Sequence, residues 1–144
     1  MYFEDIEPGD KFTARPRVVT PTDIDSLTIS TGAVNPLFLD DASARKLGFD
    51  RRIAPGLLTL SLTVGLIHAL GLFDHVIALM DIDVNFLASV NAGDEINSTV
   101  EVVEKLETKH PDRGIAILKV NSQNQDDELV REIGNLAYLI RHKS

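Results

Sequence analysis

"GLLTLSLTVGLIHALG", residues Gly56 to Gly71, is the stretch on which the fold turns. Leu57, Leu58, Leu60, Leu62, Val64, Leu66, Ile67, Ala69 and Leu70 point in nearly every direction around a helix. A helix with apolar residues all round is enclosed by protein or spans a bilayer. This one has 16 residues and is interrupted by Thr59, Ser61, Thr63 and His68. It falls short of the roughly 20 apolar residues that a bilayer requires. The stretch predicts a buried central helix, and another part of the chain must wrap it.

Downstream, the texture changes to strands. In "HVIALMDIDVNFL" (residues 75–87), Met80, Ile82, Val84 and Phe86 alternate with Asp81, Asp83 and Asn85. "NAGDE" and "KHPDRG" are turn sequences that bracket the alternating run "EINSTVEVVEKLE" (95–107). "IAILKVNSQN" (115–124) and "ELVREIGNLAYLIRH" (128–142) complete the set. Upstream, "KFTARPRVVT" reads as a short strand that Pro16 confines to an edge. "TPTDIDSLTISTG" carries helix start and stop signals, with Pro21 and Asp23 at one end and Gly32 at the other. "DDASARKLG" reads as a short helix capped by Asp40 or Asp41 and closed by Gly48. This order predicts an α+β fold: one domain over residues 1–144, with a curved antiparallel sheet wrapped round a buried central helix.

Composition narrows the function. Apolar residues make up 44% and charged residues 25%, as in an ordered globular chain. The absence of cysteine excludes disulfides, thiolate metal sites and a Cys nucleophile. A net charge of −8 argues against nucleic-acid binding. It leaves room for one phosphorylated ligand at a local basic spot, and Arg51 and Arg52 form such a spot. "MYFEDIEPGD" has no basic or apolar leader character, so a cytoplasmic location is expected. No histidine–carboxylate spacing predicts a metal site, and no dinucleotide fingerprint or nucleophile elbow occurs. Ser61 has no base beside it.

The loop "TGAVNPLF" (Thr31–Phe38) is the other informative stretch. Asn35-Pro36 fits a turn that bonds its own backbone. Phe38 suits a pocket wall. Asp40 has the position of a helix cap, with a relocated base as the alternative. His68 reads as a helix-end group or a catalytic one.

Four segments in order carry a family resemblance: "FEDIEPGDKF", "TGAVNPLFLDDASA", "FDRRIAPGLLTLSLTVGL" and "FLASVNAGDEI". The chain resembles the MaoC-like branch of the hot-dog fold, whose members include (R)-specific enoyl-CoA hydratases. In that family a loop Asp and His activate the water that adds to an enoyl thioester, a task needing a base and an acid within hydrogen-bond reach. A helix-leading glycine N–H receives the charge gathering on the thioester oxygen. Alignment on Asn35, Pro36, Asp40 and Ala44 places Gly56 at that glycine, Ala33 at the Asp and Phe38 at the His. Pro55 replaces the His that ordinarily precedes the glycine.

The resemblance implies an acyl-CoA or other acyl-thioester ligand and no further cofactor. Its implied pocket contains Ala33, Asn35, Phe38, Pro55 and Leu57, with Arg51 and Arg52 toward the coenzyme A phosphates. The implied assembly is a homodimer, or a heterodimer with a catalytic MaoC-like subunit, without nucleic acid or membrane. Three functional expectations follow: a binding subunit without the hydration dyad; a lyase using other groups such as Asp40 and His68; or a ligand-free structural or regulatory protein.

Overall fold

A computed structural model describes residues 1–144. Pro16 breaks the first predicted strand in two. β1 (Lys11–Thr13) and β2 (Arg17–Val18) both pair antiparallel with β4 (Glu95–Glu107). The break follows from the missing N–H and fixed φ of proline. α1 (Pro21–Thr31) opens on a reciprocal cap: Thr20 Oγ1 accepts from Asp23 N at 3.1 Å, and the Asp23 carboxylate accepts from Thr20 N at 2.9 Å. Gly32 ends it with a left-handed φ of 71°. α2 (Pro36–Leu39) and α3 (Asp41–Lys46) follow, capped by Asn35 and Asp40. The extra turn α2 begins on the Asn35-Pro36 pair.

α4 (Gly56–His68) is the predicted central helix. β3 (Val76–Phe86), β4, β5 (Arg113–Gln123) and β6 (Leu129–Arg141) then form one antiparallel sheet in the order β1-β4-β5-β6-β3. β3 is the end strand, so its outer edge has no partner strand in the chain. Leu118 pairs with Leu136, but Val120 pairs with Ile133, so β6 contributes an extra residue between those pairs. The bulge falls at Gly134–Asn135 and bends the strand. It also reverses which side chains of β6 face inward.

The main core lies between α4 and the sheet. Val100, Val102, Leu118, Val120, Ile133 and Leu136 are wholly buried there, with Ile67 from the helix. Each such aliphatic side chain contributes roughly 1.5–3 kcal/mol relative to exposure. A second cluster joins Val19 and Ile24 to Ala54, Leu58, Val90, Ile96 and Val130.

The expectation of a helix buried on all sides is corrected for the single chain. α4 turns Leu58, Thr59, Thr63 and Ile67 to the sheet and leaves Leu57, Ser61, Gly65 and His68 exposed. One sheet covers only one side of a helix, so the all-round apolar character exceeds what this chain can enclose. No helix is long and apolar enough to cross a membrane.

Candidate functional site: an apolar cleft at the start of the central helix

Three segments meet beside the N-terminus of α4. Ala54 N bonds Val90 O at 2.7 Å and Ala92 N bonds Arg52 O at 3.2 Å, docking the helix lead-in against the loop after β3. Leu87 N and Ala88 N both bond Val130 O, at 2.9 and 3.2 Å, docking that loop against the start of β6. The space left between them is a cleft of about 590 Å³, a size usual for small-ligand sites.

Its wall is apolar: Leu37, Phe38, Ile53, Ala54, Leu57, Phe86, Leu87, Ala88, Val90 and Val130 supply most of it. The remaining lining residues are Gly56, Thr59, Ser89 and Arg131. Gly56 and Leu57 begin α4, and neither N–H has a hydrogen-bond partner within the chain. The positive end of the helix dipole therefore faces the cleft with two free donors. Gly56 also admits an aromatic neighbour: a Cβ there would lie 2.8 Å from the Phe86 ring.

Behind the cleft lies a buried polar cluster. Arg131 is 1% exposed. Its Nη1 donates to Thr59 Oγ1 at 2.7 Å, and its Nη2 donates to Thr63 Oγ1 and, at 3.1 Å, to Ser122 Oγ. The Ser122 and Ser98 hydroxyls bond each other at 2.8 Å. Nε has no partner. None of the chain's ion pairs includes Arg131. Burial pushes its pKa down to about 10, which leaves it cationic at neutral pH.

Comparison with known proteins identifies the framework. Residues 4–124 match the MaoC like domain. The chain belongs to the MaoC-like family. Its sheet and helix form a hot-dog fold, and its relatives include hydratases and dehydratases. It is 27% identical to a 3-hydroxybutyryl-CoA dehydratase of Methylorubrum extorquens, over 93% of each chain. A solved structure described as a monoamine oxidase regulatory protein, from Archaeoglobus, is 37% identical. It superposes with a TM-score of 0.90 over 100% of this chain and 96% of that one. An (R)-hydratase from A. caviae involved in PHA biosynthesis is 25% identical, with a TM-score of 0.77 over 97% and 99%.

Within this MaoC-like chain the structure gathers some of the sequence-predicted residues and separates others. Phe38, Gly56 and Leu57 line the cleft. Ala33, Asn35 and Pro55 are not on its wall. Ala33 is exposed, and its N–H bonds Thr31 Oγ1 at 3.2 Å. The Asn35 side chain accepts from Leu37 N at 3.0 Å as the cap of α2. Pro55 is buried at the cap of α4, where its carbonyl receives Leu58 N and Thr59 N.

Asp40 and His68 do not meet. Asp40 accepts from Ser43 N at 2.7 Å, and that backbone donor holds its carboxyl below the usual value. His68 ends α4, bonds the Tyr138 hydroxyl at 3.1 Å and lies about 18 Å of helix rise from Gly56.

The two arginines have separate partners. Arg51 Nη2 reaches the buried Asp94 carboxylate at 3.0 Å and keeps 47% of its side chain exposed. Arg52 is 11% exposed; it bonds Asp25, and its Nε donates to Phe38 O at 2.9 Å. Arg52 thereby ties α1 and α2 to the helix lead-in. Both arginines line a shallow polar groove with Asp40 and Asp41. No group of His, Cys, Asp and Glu residues is placed to hold a metal ion.

Sequence reasoning missed Thr59, Phe86, Ser89 and Arg131 as cleft residues. For Arg131 the one available signal was Gly134, a glycine inside a strand and so a candidate bulge.

Proposed function

We propose that this MaoC-like protein binds a short acyl thioester in the cleft and lacks the family's Asp/His hydration dyad. The observation carrying this reading is the cleft's composition. It offers the free Gly56 and Leu57 N–H groups to a thioester oxygen, yet none of its 14 lining residues is an Asp, Glu, His, Lys or Tyr. Electrophilic polarisation is supported and proton transfer is not. A general acid–base pair ordinarily contributes about 10²- to 10⁴-fold, which this wall has no group to supply.

In this reading the thioester carbonyl oxygen accepts from the start of α4. Phe86 and Leu57 cover it from water, and Phe38 occupies the place where the resemblance puts the catalytic His. The half-exposed Arg51 stands on the solvent side and serves the coenzyme A phosphates; Arg52 holds the loop that carries Phe38. The protein acts in a dimer. Its support is the unpaired outer edge of β3, whose Ile77, Leu79 and Met80 are exposed, together with the uncovered stripe of α4. The second subunit is either a copy of this chain or a catalytic MaoC-like partner.

The test is an assay of crotonyl-CoA hydration by the purified chain, paired with thermal unfolding in butyryl-CoA. Stabilisation without turnover is expected; ligand at a hundred times its Kd adds about 2.7 kcal/mol. Robust turnover by the isolated protein overturns the loss of the dyad. An unfolding curve that butyryl-CoA leaves unchanged counts against thioester binding.

A further inference from the structure

The buried guanidinium of Arg131 has no role in holding a neutral thioester, and its surroundings do not balance it. Its three bonds go to the hydroxyls of Thr59, Thr63 and Ser122, all uncharged. A guanidinium has five N–H donors, so Nε and one hydrogen of Nη1 remain without acceptors. Burying a cation without a counter-ion is costly, and buried charges in proteins are ordinarily paired. The wall of the cleft contains both Arg131 and Thr59 and no carboxylate.

The spacing sets the ligand's length. Gly56 and Thr59 are three residues apart on α4, about 4.5 Å of rise. Arg131 Nη1 lies 2.7 Å from Thr59 Oγ1. A thioester oxygen at the helix start and an anionic group at Arg131 are thus separated by the length of a short acyl chain.

We propose that Arg131 receives a carboxylate at the far end of the acyl chain, so that the ligand is the thioester of a short dicarboxylic acid. This deepens the reading of the cleft as an acyl-thioester site and rests on it. An aliphatic chain lies against the apolar wall in either case; the terminal carboxylate adds the charge-assisted pair with Arg131.

Calorimetric titration of the full chain with succinyl-CoA, butyryl-CoA and free coenzyme A tests it. Succinyl-CoA is expected to bind at least about tenfold more tightly than butyryl-CoA, the effect of one charge-assisted hydrogen bond or more. Arg131→Met is expected to abolish or reverse that preference while leaving the affinity for free coenzyme A unchanged. Wild-type protein that binds succinyl-CoA and butyryl-CoA equally overturns the proposal and leaves the thioester reading standing. If neither binds better than free coenzyme A, the thioester reading fails and the proposal with it. The wild-type comparison decides these outcomes even if the Arg131 variant does not fold.

Discussion

The Thr63 hydroxyl accepts a hydrogen bond from Arg131 Nη2 behind the cleft, where Thr63 is wholly buried and Arg131 is 1% exposed. The bond joins the central helix to the last strand, and it matters because the guanidinium has no carboxylate to fall back on. Thr63→Val keeps the shape and removes the acceptor. It is expected to lower stability by about 1–3 kcal/mol, the cost of leaving a buried polar group unmatched. Arg131→Met removes the charge itself and is expected to be neutral or stabilising, since an apolar side chain of similar length needs no acceptors. Urea unfolding of the two variants checks the pair of outcomes. A larger loss for Arg131→Met than for Thr63→Val shows the cluster to be a net stabiliser.

Phe38 is half-buried, lines the cleft and packs against the smaller core cluster. Phe38→Ala is expected to cost about 1–3 kcal/mol, below the full price of a buried aromatic because part of the ring is already in water. It also removes the bulk from one wall. Longer acyl-CoA ligands are expected to gain affinity relative to butyryl-CoA, which competition binding measures. An unchanged ranking of chain lengths places Phe38 outside the ligand's path.

Much of the framework was legible because local chemistry and long-range packing agree. The Thr20-Pro21-Asp23 start of α1, the Gly32 stop and the alternation through 95–107 all correspond to observed elements. The site was less legible, and β6 shows why. Strict alternation from Leu136 puts Gly134, Glu132 and Val130 inward and sends Arg131 to solvent. The bulge at Gly134–Asn135 shifts the phase, so Ile133 and Arg131 turn toward the helix instead. A single extra residue inverts every position beyond it, and its presence depends on pairing with β5, which no local pattern records. The central helix failed differently. Its apolar circumference correctly marks it as central, but periodicity does not say whether the cover comes from the same chain or another.

Asp40 separates a cap from a base. Its carboxylate receives Ser43 N at the start of α3, and the same backbone bond depresses its pKa. A depressed carboxylate stabilises the fold above its ordinary pKa and loses that contribution as pH falls through the folded value. Asp40→Ala is expected to lower the melting temperature at neutral pH and to flatten the acid side of the stability profile. Butyryl-CoA affinity is not expected to fall, because Asp40 is not on the cleft wall and its negative charge in the groove beside Arg51 opposes the coenzyme A phosphates. Calorimetric scans across pH, with one titration of ligand, check both halves. A loss of binding with unaltered melting points to a functional carboxylate instead.

His142 works in the opposite direction. Its ring bonds Glu4 through Nδ1 at 2.5 Å and Glu107 through Nε2 at 3.1 Å, closing the C-terminal end of the chain onto the first turn and β4. The Glu4 hydrogen bond chiefly raises its pKa above the ordinary value of 6.5. A raised histidine stabilises fully below that ordinary value, and the contribution is lost as pH climbs through the folded one. The melting temperature is therefore expected to fall on going from mildly acidic to mildly alkaline buffer. His142→Gln, which keeps polar contacts without the charge, is expected to remove that slope. Added salt is expected to reduce it in the wild type, because the pair lies near the surface. An NMR titration of the imidazole locates the transition directly, and a midpoint at or below the ordinary histidine value is incompatible with the clamp.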